Sequence, residues 1–306
     1  MTIENFPIMS QQLYQDIKEF YDASSNLWES VWGEHMHHGY YGKDGTKKLD
    51  RRQAQIDLME ELLTWSYFDS AQYKEITTSQ GKPQNILDVG CGIGGASLYL
   101  AEKFDARVTG ITLSPVQANR AIERAQAAGL SATADFKVAN ALDLPFADDS
   151  FDLVWSLESG EHMPDKVKFL QECYRVLKPG GRLMLATWCH RPTNTITPLT
   201  GDEQKHLQDI YRVYCLPYVV SLPDYTKIVE DCGFKDLRVD DWSTAVAPFW
   251  DVVIDSAITP QAVIGLFKAG WKTMEAAMSL KLMSGGYQRG LIRFGVITGV
   301  KSGVRE

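Results

Sequence analysis

The sequence predicts an α/β fold, a mostly parallel sheet with helices on both faces, extended by a helical amino-terminal cap and by helices inserted late in the chain. Three observations predict it. From Asn85 onward short apolar runs alternate with helical segments, the order that βαβ crossovers impose. Four glycines, Gly90, Gly92, Gly94 and Gly95, stand between the first apolar run and the first helix of that series. The segment up to Gly81 is rich in aromatics and histidine and shows no strand alternation.

The elements follow in order. The linker Ser79 to Pro83 ends the cap, and Asn85 to Val89 is the first strand. Ala96 to Phe104 is helical, Arg107 to Ile111 is a second strand, and Pro115 to Ala128 is an alanine-rich helix ended by Gly129. Strands are expected at Phe136 to Ala139 and Phe151 to Ser156, then a helix at Val167 to Leu177, a turn at Pro179, Gly180 and Gly181, and a strand at Arg182 to Trp188. His190 to Ser221 reads as a mostly helical insertion, Asp224 to Cys232 as a helix and Phe234 to Val239 as a strand. Pro248 to Leu282 is a second helical stretch, and Phe294 to Val300 is expected to be a last, antiparallel strand. The division is therefore a cap over 1–81, a ligand-binding core over 82–190, and acceptor-side helices that complete the sheet over 191–306.

Composition excludes several classes. With 306 residues, 44% of them hydrophobic and 23% charged, the chain is long enough to bury a large core and has no fibrous or disordered signature. A formal charge of -8 argues against nucleic acid as partner, whose phosphates demand a basic stripe. Five widely spaced cysteines without a CxxC pair suggest neither a disulfide framework nor a zinc site. The amino terminus lacks a basic region followed by an apolar core, and no run approaches a membrane span, so a cytoplasmic protein is expected, with peripheral membrane contact left open. Oligomeric state is not legible.

The glycine loop suits a ligand that approaches the backbone closely, and an adenosine-bearing molecule is expected there. Gly90, Gly92 and Gly95 formally satisfy the dinucleotide pattern. Asp88 argues against a pyrophosphate, which its carboxylate would repel, and favours a cationic ligand. The second strand also ends in Thr112, Leu113 and Ser114 without the acid that grips an NAD ribose.

The motifs DVGCGIGG, GITLSPVQ, ALDLPFADDSFDLVWSLESGEHMPD and LKPGGRL, in this order, resemble those of class I S-adenosylmethionine-dependent methyltransferases. WGEHMHHGYYG, RRQAQIDL, LATWCHRP, VYCLPYVVSLPDY, APFWD and RGLIRFGVITG extend the resemblance, over essentially the whole chain, to the gamma-tocopherol methyltransferases. It implies a Rossmann-like, seven-stranded, mostly parallel sheet and S-adenosyl-L-methionine as cofactor, with S-adenosyl-L-homocysteine as product. Carried over residue by residue, Asp88, Gly90, Cys91, Gly92 and Gly94 would surround the methionine part, and Thr112, Leu113 and Gln117 the ribose and adenine edge. Asn140 and Ala141 would meet the adenine face and Glu158 the methionyl end, with Ser156 a further cofactor-binding residue. Many members carry an acid at the end of the second strand and an aspartate where Asn140 stands, so this chain departs at both places.

Methyl transfer from a sulfonium is an in-line displacement, so an enzyme must chiefly aim the acceptor and exclude water. For a phenol of pKa ~10, ionisation at neutral pH costs roughly 4 kcal/mol, and a positioned base recovers a factor of ~10² to 10⁴. His162 is the expected base, with Glu161 orienting it or sharing the proton; a hydrogen-bonded structural histidine at a loop-to-helix junction is the alternative. Tyr21, Trp32, His37, His38 and Tyr41 are expected to shape an apolar acceptor pocket under the cap, although aromatics also serve as plain core. His35, His37 and His38 lack the further ligands of a metal site, and none is expected. The expected acceptor is a hydrophobic aromatic small molecule, foremost a chromanol such as gamma-tocopherol methylated on a ring carbon. The alternatives are N-methylation of an indole-type alkaloid in specialised metabolism and a non-catalytic cofactor-binding module.

Overall fold

A computed structural model describes residues 22, 29, 32–67, 82–193, 198–257 and 271–303, apart from the side chains of 256, 257 and 271–279. Seven strands form one sheet: β1 (Asn85–Val89), β2 (Arg107–Thr112), β3 (Ala134–Val138), β4 (Phe151–Leu157), β5 (Leu177–His190), β6 (Phe234–Asp241) and β7 (Ile292–Lys301). Their order is β3-β2-β1-β4-β5-β7-β6. All pairings from β3 across to β5 are parallel, and β7 runs antiparallel to both β5 and β6. This is the predicted class, and the last apolar run is the antiparallel strand.

Alternation along the inner strands divides the core. Leu153 and Trp155 of β4, with Met184, Ala186 and Trp188 of β5, face one apolar cluster. Val154, Leu183, Leu185 and Cys189 face the other. The second cluster is closed by α4 (Lys166–Val176) and α6 (Leu222–Asp231). The first is closed by α1 (Arg51–Ser66), α2 (Gly95–Phe104), α5 (Gly201–Val213), α8 (Pro248–Ala257) and α9 (Trp271–Gln288). The helix α3 (Pro115–Ala127) packs over the β3 edge, and α7 (Ser243–Val246) is a single turn.

Local chemistry sets the helix starts. Asp50, Ser114, Asp165 and Ser221 each accept a backbone N–H as N-cap, and Thr200 with Glu203 forms a full capping box. In α1 the buried residues Ala54, Leu58, Leu62 and Ser66 recur every fourth position, beside Gln55, Met59 and Leu63. This face joins the same cluster as the sheet.

Two expectations shift. β3 begins at Ala134 rather than Phe136, because its register with β2 pairs Val108 with Ala134. The predicted turn at Pro179 to Gly181 lies inside β5 as a bulge: Phe151 pairs with Leu177, whereas Leu153 pairs with Arg182. Gly180 takes a φ of +81° there, so a turn-forming sequence inserts residues into a strand without ending it. No described helix is long and apolar enough to cross a membrane.

Candidate active site

The strand order reverses between β1 and β4, and the loops leaving their carboxyl ends bound a cavity, as expected for an open α/β sheet. The glycine loop forms its floor. Gly90 has φ +83°, and a Cβ there would stand 2.2 Å from that of Ser159, so the loop after β1 and the loop after β4 touch backbone to side chain. Ser159 reinforces the contact, its Oγ donating to the Val89 carbonyl at 2.6 Å and lying 2.8 Å from Ser156 Oγ. At Gly92, with φ +52°, a Cβ would meet only Met36 Sδ at 4.0 Å, so one side of this loop stays open toward the cavity.

Asp88 is buried and lines this floor. Ser97 Oγ donates to its Oδ2 at 2.5 Å, and no lysine or arginine among the described residues faces it. Burial therefore pushes its carboxyl up to about 7, against the weaker opposing pull of the Ser97 hydrogen bond. At the end of β2, Thr112 Oγ1 donates to Gln117 Oε1 at 2.8 Å and accepts from the Ser114 N–H at 3.2 Å. Leu113, Ser114 and Gln117 line the same wall.

The opposite wall is built on the loop after β4. Glu158 has a left-handed φ of +53°, a conformation that costs of order 1–3 kcal/mol in a non-glycine residue. Its side chain is fully engaged: the His38 N–H donates to Oε1 at 2.6 Å, while His38 Nδ1 and Trp188 Nε1 meet Oε2 at 2.7 and 3.1 Å. Burial alone would raise this carboxyl, but the histidine contacts outweigh it and hold Glu158 below the ordinary glutamate range. Glu161, in the 3-10 turn Gly160–His162, accepts from Thr187 Oγ1 at 2.8 Å. Burial and the neighbouring Glu158 charge push it up to about 8. Lys166 staples the turn by donating to the carbonyls of Glu161 and Met163. Burial and the Lys166 charge drive His162 down to about 3, so the fold does not provide the untuned imidazole that made it the expected base.

Over these walls lies the segment 32–41. Gln55 on α1 anchors it, its amide nitrogen lying within hydrogen-bond distance of the carbonyls of Trp32, His35 and His37. Arg124 donates to the Glu34 carbonyl at 3.0 Å and pairs with its carboxylate at 3.1 Å. His37 Nδ1 meets the His38 carbonyl at 2.8 Å. Trp32 stacks edge-on against Phe249 and Trp250 of α8, each at 5.7 Å.

Of the predicted cofactor residues, Asp88, Gly90, Cys91, Gly92, Thr112, Leu113, Gln117 and Glu158 line the cavity, and Gly94 caps α2 behind it. Ser156 is buried beneath Ser159. Asn140 and Ala141 do not line it: Asn140 Oδ1 accepts from the Leu142 N–H in a local turn, and Ala141 packs into an apolar cluster. His162 and Glu161 both line the cavity, as do Trp32 and His37; His38 and Tyr41 are buried behind that lining, and Tyr21 lies outside the described residues. The helical stretch Pro248 to Leu282 contributes Phe249 and Trp250 to the layer behind Trp32, while Trp188 and Tyr214 form the acceptor-side lining itself. Gln55, Lys166 and Ser159 were not anticipated. Gln55 had a signal, since it falls on the apolar face of α1 with Met59 and Leu62, where a polar residue must have a partner. Among the described residues no cluster of histidine, cysteine or carboxylate is arranged to hold a metal.

Comparison with known proteins agrees with this architecture. The methyltransferase domain family matches residues 87–185. Tocopherol O-methyltransferase of Arabidopsis thaliana, a chloroplastic protein, is 45% identical over 294 residues, covering 94% of this chain and 82% of the plant protein. A chloroplastic protein of Oryza sativa subsp. japonica described as a tocopherol O-methyltransferase is 48% identical over 288 residues, covering 94% of this chain and 78% of that one. Among solved structures, a Galdieria sulphuraria protein described as a sarcosine dimethylglycine methyltransferase superposes with a TM-score of 0.76 at 26% identity, over 92% of this chain and 99% of the other. The chloroplastic relatives overturn the cytoplasmic expectation.

Proposed function

The chain belongs to the tocopherol methyltransferase family of S-adenosylmethionine-dependent enzymes, and from that premise we propose that it methylates a chromanol on the ring carbon beside the hydroxyl. One observation carries the choice of acceptor. Four carboxylates, Glu34, Asp88, Glu158 and Glu161, line the cavity together with Trp32, Trp188 and Tyr214, and no lysine or arginine does so among the described residues. Such a lining offers an anionic acceptor no counter-charge and suits a neutral ring system, whose apolar area at ~25 cal/mol per Å² supplies most of the binding free energy.

The residues fit the cofactor, because a buried carboxylate without a cationic partner, Asp88, stands beside an open glycine loop. Asp88 and the Gly90 to Gly92 backbone would hold its methionine part, and Thr112, Leu113 and Gln117 its ribose and adenine edge. When bound, S-adenosylmethionine supplies a methyl group on a positively charged sulfur that departs as a neutral thioether. Glu161 is the group we assign to removal of the ring proton, since it lines the cavity and its carboxyl is tuned close to neutral. His162, held neutral beside it, orients the turn. The rings of Trp32, Trp188 and Tyr214 exclude water from the reacting face.

The test is product identification. The protein is incubated with methyl-labelled S-adenosylmethionine and, separately, a gamma-type chromanol, an indole alkaloid and sarcosine, and the new methyl is located by mass spectrometry and NMR. Methyl on the chromanol ring carbon is expected. Methyl on the chromanol oxygen, or faster turnover of the alkaloid or of sarcosine than of the chromanol, would reject the proposal.

A further inference from the structure

His37 is 4% exposed and lines the cavity, yet its Nε2 is buried with no hydrogen-bond partner. Buried polar atoms are almost always paired, so an orphan in a cavity wall calls for a ligand group that completes it. The other ring nitrogen fixes which kind of group. Nδ1 lies 2.8 Å from the His38 carbonyl, which can only accept, so Nδ1 carries the proton. Burial holds the imidazole neutral, below the ordinary histidine range, with the Glu158 carboxylate and the His38 and His35 rings as the facing titratable groups. Nε2 is then a lone pair and an acceptor. The Gln55 amide fixes the ring's backbone by binding the His37 carbonyl at 2.9 Å, so the nitrogen is preorganised.

We propose that His37 Nε2 accepts the acceptor's hydroxyl hydrogen and thereby selects phenolic acceptors. This deepens the function proposed above and rests on it. The step balances as follows: the O–H donates its hydrogen bond to His37 Nε2 while the ring carbon forms its bond to methyl and the methyl–sulfur bond breaks, its electron pair staying on sulfur. The ring C–H proton then leaves to Glu161, which restores the aromatic phenol. One proton is released for each methyl transferred.

The experiment compares binding of a chromanol and of the matching chroman that lacks the hydroxyl, in the presence of S-adenosylhomocysteine, for the wild type, His37→Phe and His206→Phe, the last on α5 and outside the cavity lining. Phenylalanine keeps a planar ring and removes the nitrogen. The wild type and His206→Phe are expected to prefer the chromanol by roughly 3- to 10-fold, the range of one net hydrogen bond, and His37→Phe to bind both alike. With turnover, His37→Phe should lower kcat for the chromanol by ~10² or more while S-adenosylhomocysteine affinity stays within about 2-fold. A His37→Phe protein that still prefers the chromanol to the wild-type extent overturns the inference alone. A wild type that binds neither chromanol nor chroman overturns the acceptor assignment and this inference together. If His37→Phe fails to fold, the wild type carries the test: equal binding of chromanol and chroman overturns the inference, and a hydroxyl preference lost in a His37→Leu protein supports it.

Discussion

Asp88 and Glu158 are both buried carboxylates in the wall of one cavity, and the fold treats them in opposite ways. Asp88 has a single serine hydroxyl for company and is pushed up to about 7, whereas Glu158 takes three N–H donors and is held below the ordinary range. The difference separates a charge awaiting a ligand from a charge already completed by the protein. Asp88 becomes favourable only when a cation arrives, while Glu158 belongs to the framework that positions His37, His38 and Trp188. Glu161, up at about 8 with one threonine donor, resembles Asp88 and stands on the acceptor side.

Three substitutions would break or sharpen the contrast. The largest effect is expected at Glu161, where Glu161→Gln should lower kcat by ~10² to 10⁴ with cofactor affinity nearly unchanged. Single-turnover kinetics under saturating cofactor measures this, and a rate within a few fold of wild type would return the base role to another group. Next, Glu158→Gln replaces a buried carboxylate that takes three N–H hydrogen bonds by a neutral amide and should cost roughly 2 kcal/mol in urea unfolding. A loss below the error of the extrapolation would mean that the Glu158 contacts are not framework.

The smallest effect concerns pH. Asp88 has a folded value of about 7, above its unfolded 3.8, so its contribution to stability is fully present below about pH 4 and is lost as pH rises through 7. Glu158, shifted downward, contributes above the ordinary glutamate value and loses that contribution on acidification. Binding a cation to ionised Asp88 must therefore release a proton, and S-adenosylmethionine affinity should climb roughly 10-fold per pH unit below 7 before levelling off. Calorimetry in buffers of different ionisation enthalpy reads the proton release directly. Asp88→Asn should bind more weakly with no such slope, and an unchanged slope would show that another group titrates.

Legibility in the sequence divides along the same line as the two carboxylates. The glycine loop, the β1–β5 succession and the Glu161–His162 turn were readable because each depends on residues within about ten positions of one another. The acceptor wall was not, because its contacts are long-range: His38 meets Glu158 across 120 positions, and Arg124 reaches Glu34 across 90. Which of three neighbouring histidines faces the cavity is decided by the Gln55 amide and by the packing of Phe249 and Trp250, not by the histidine spacing. Likewise the residue type at His162 suggested a base, but its protonation is set by burial and by Lys166. Asn140 is the converse case: its Oδ1 is engaged by the Leu142 N–H in its own turn, and its side chain stands outside the cavity lining.

Much of the hold on the segment over the cavity runs through its main chain. Gln55 binds the carbonyls of residues 32, 35 and 37, Arg124 binds that of Glu34, and the N–H groups of His38, Tyr40 and Tyr41 go to Glu158, Ala54 and Ala245. Every amino acid except proline offers the same N–H and C=O atoms, so these fastenings survive exchange of the side chains they carry. A lineage can therefore retune the acceptor by exchanging the cavity-lining side chains at 32 and 36 while inheriting the path of the backbone unchanged. Substituting Gln55 or Glu158, which are remote in sequence and inconspicuous in type, would instead unfasten the path itself.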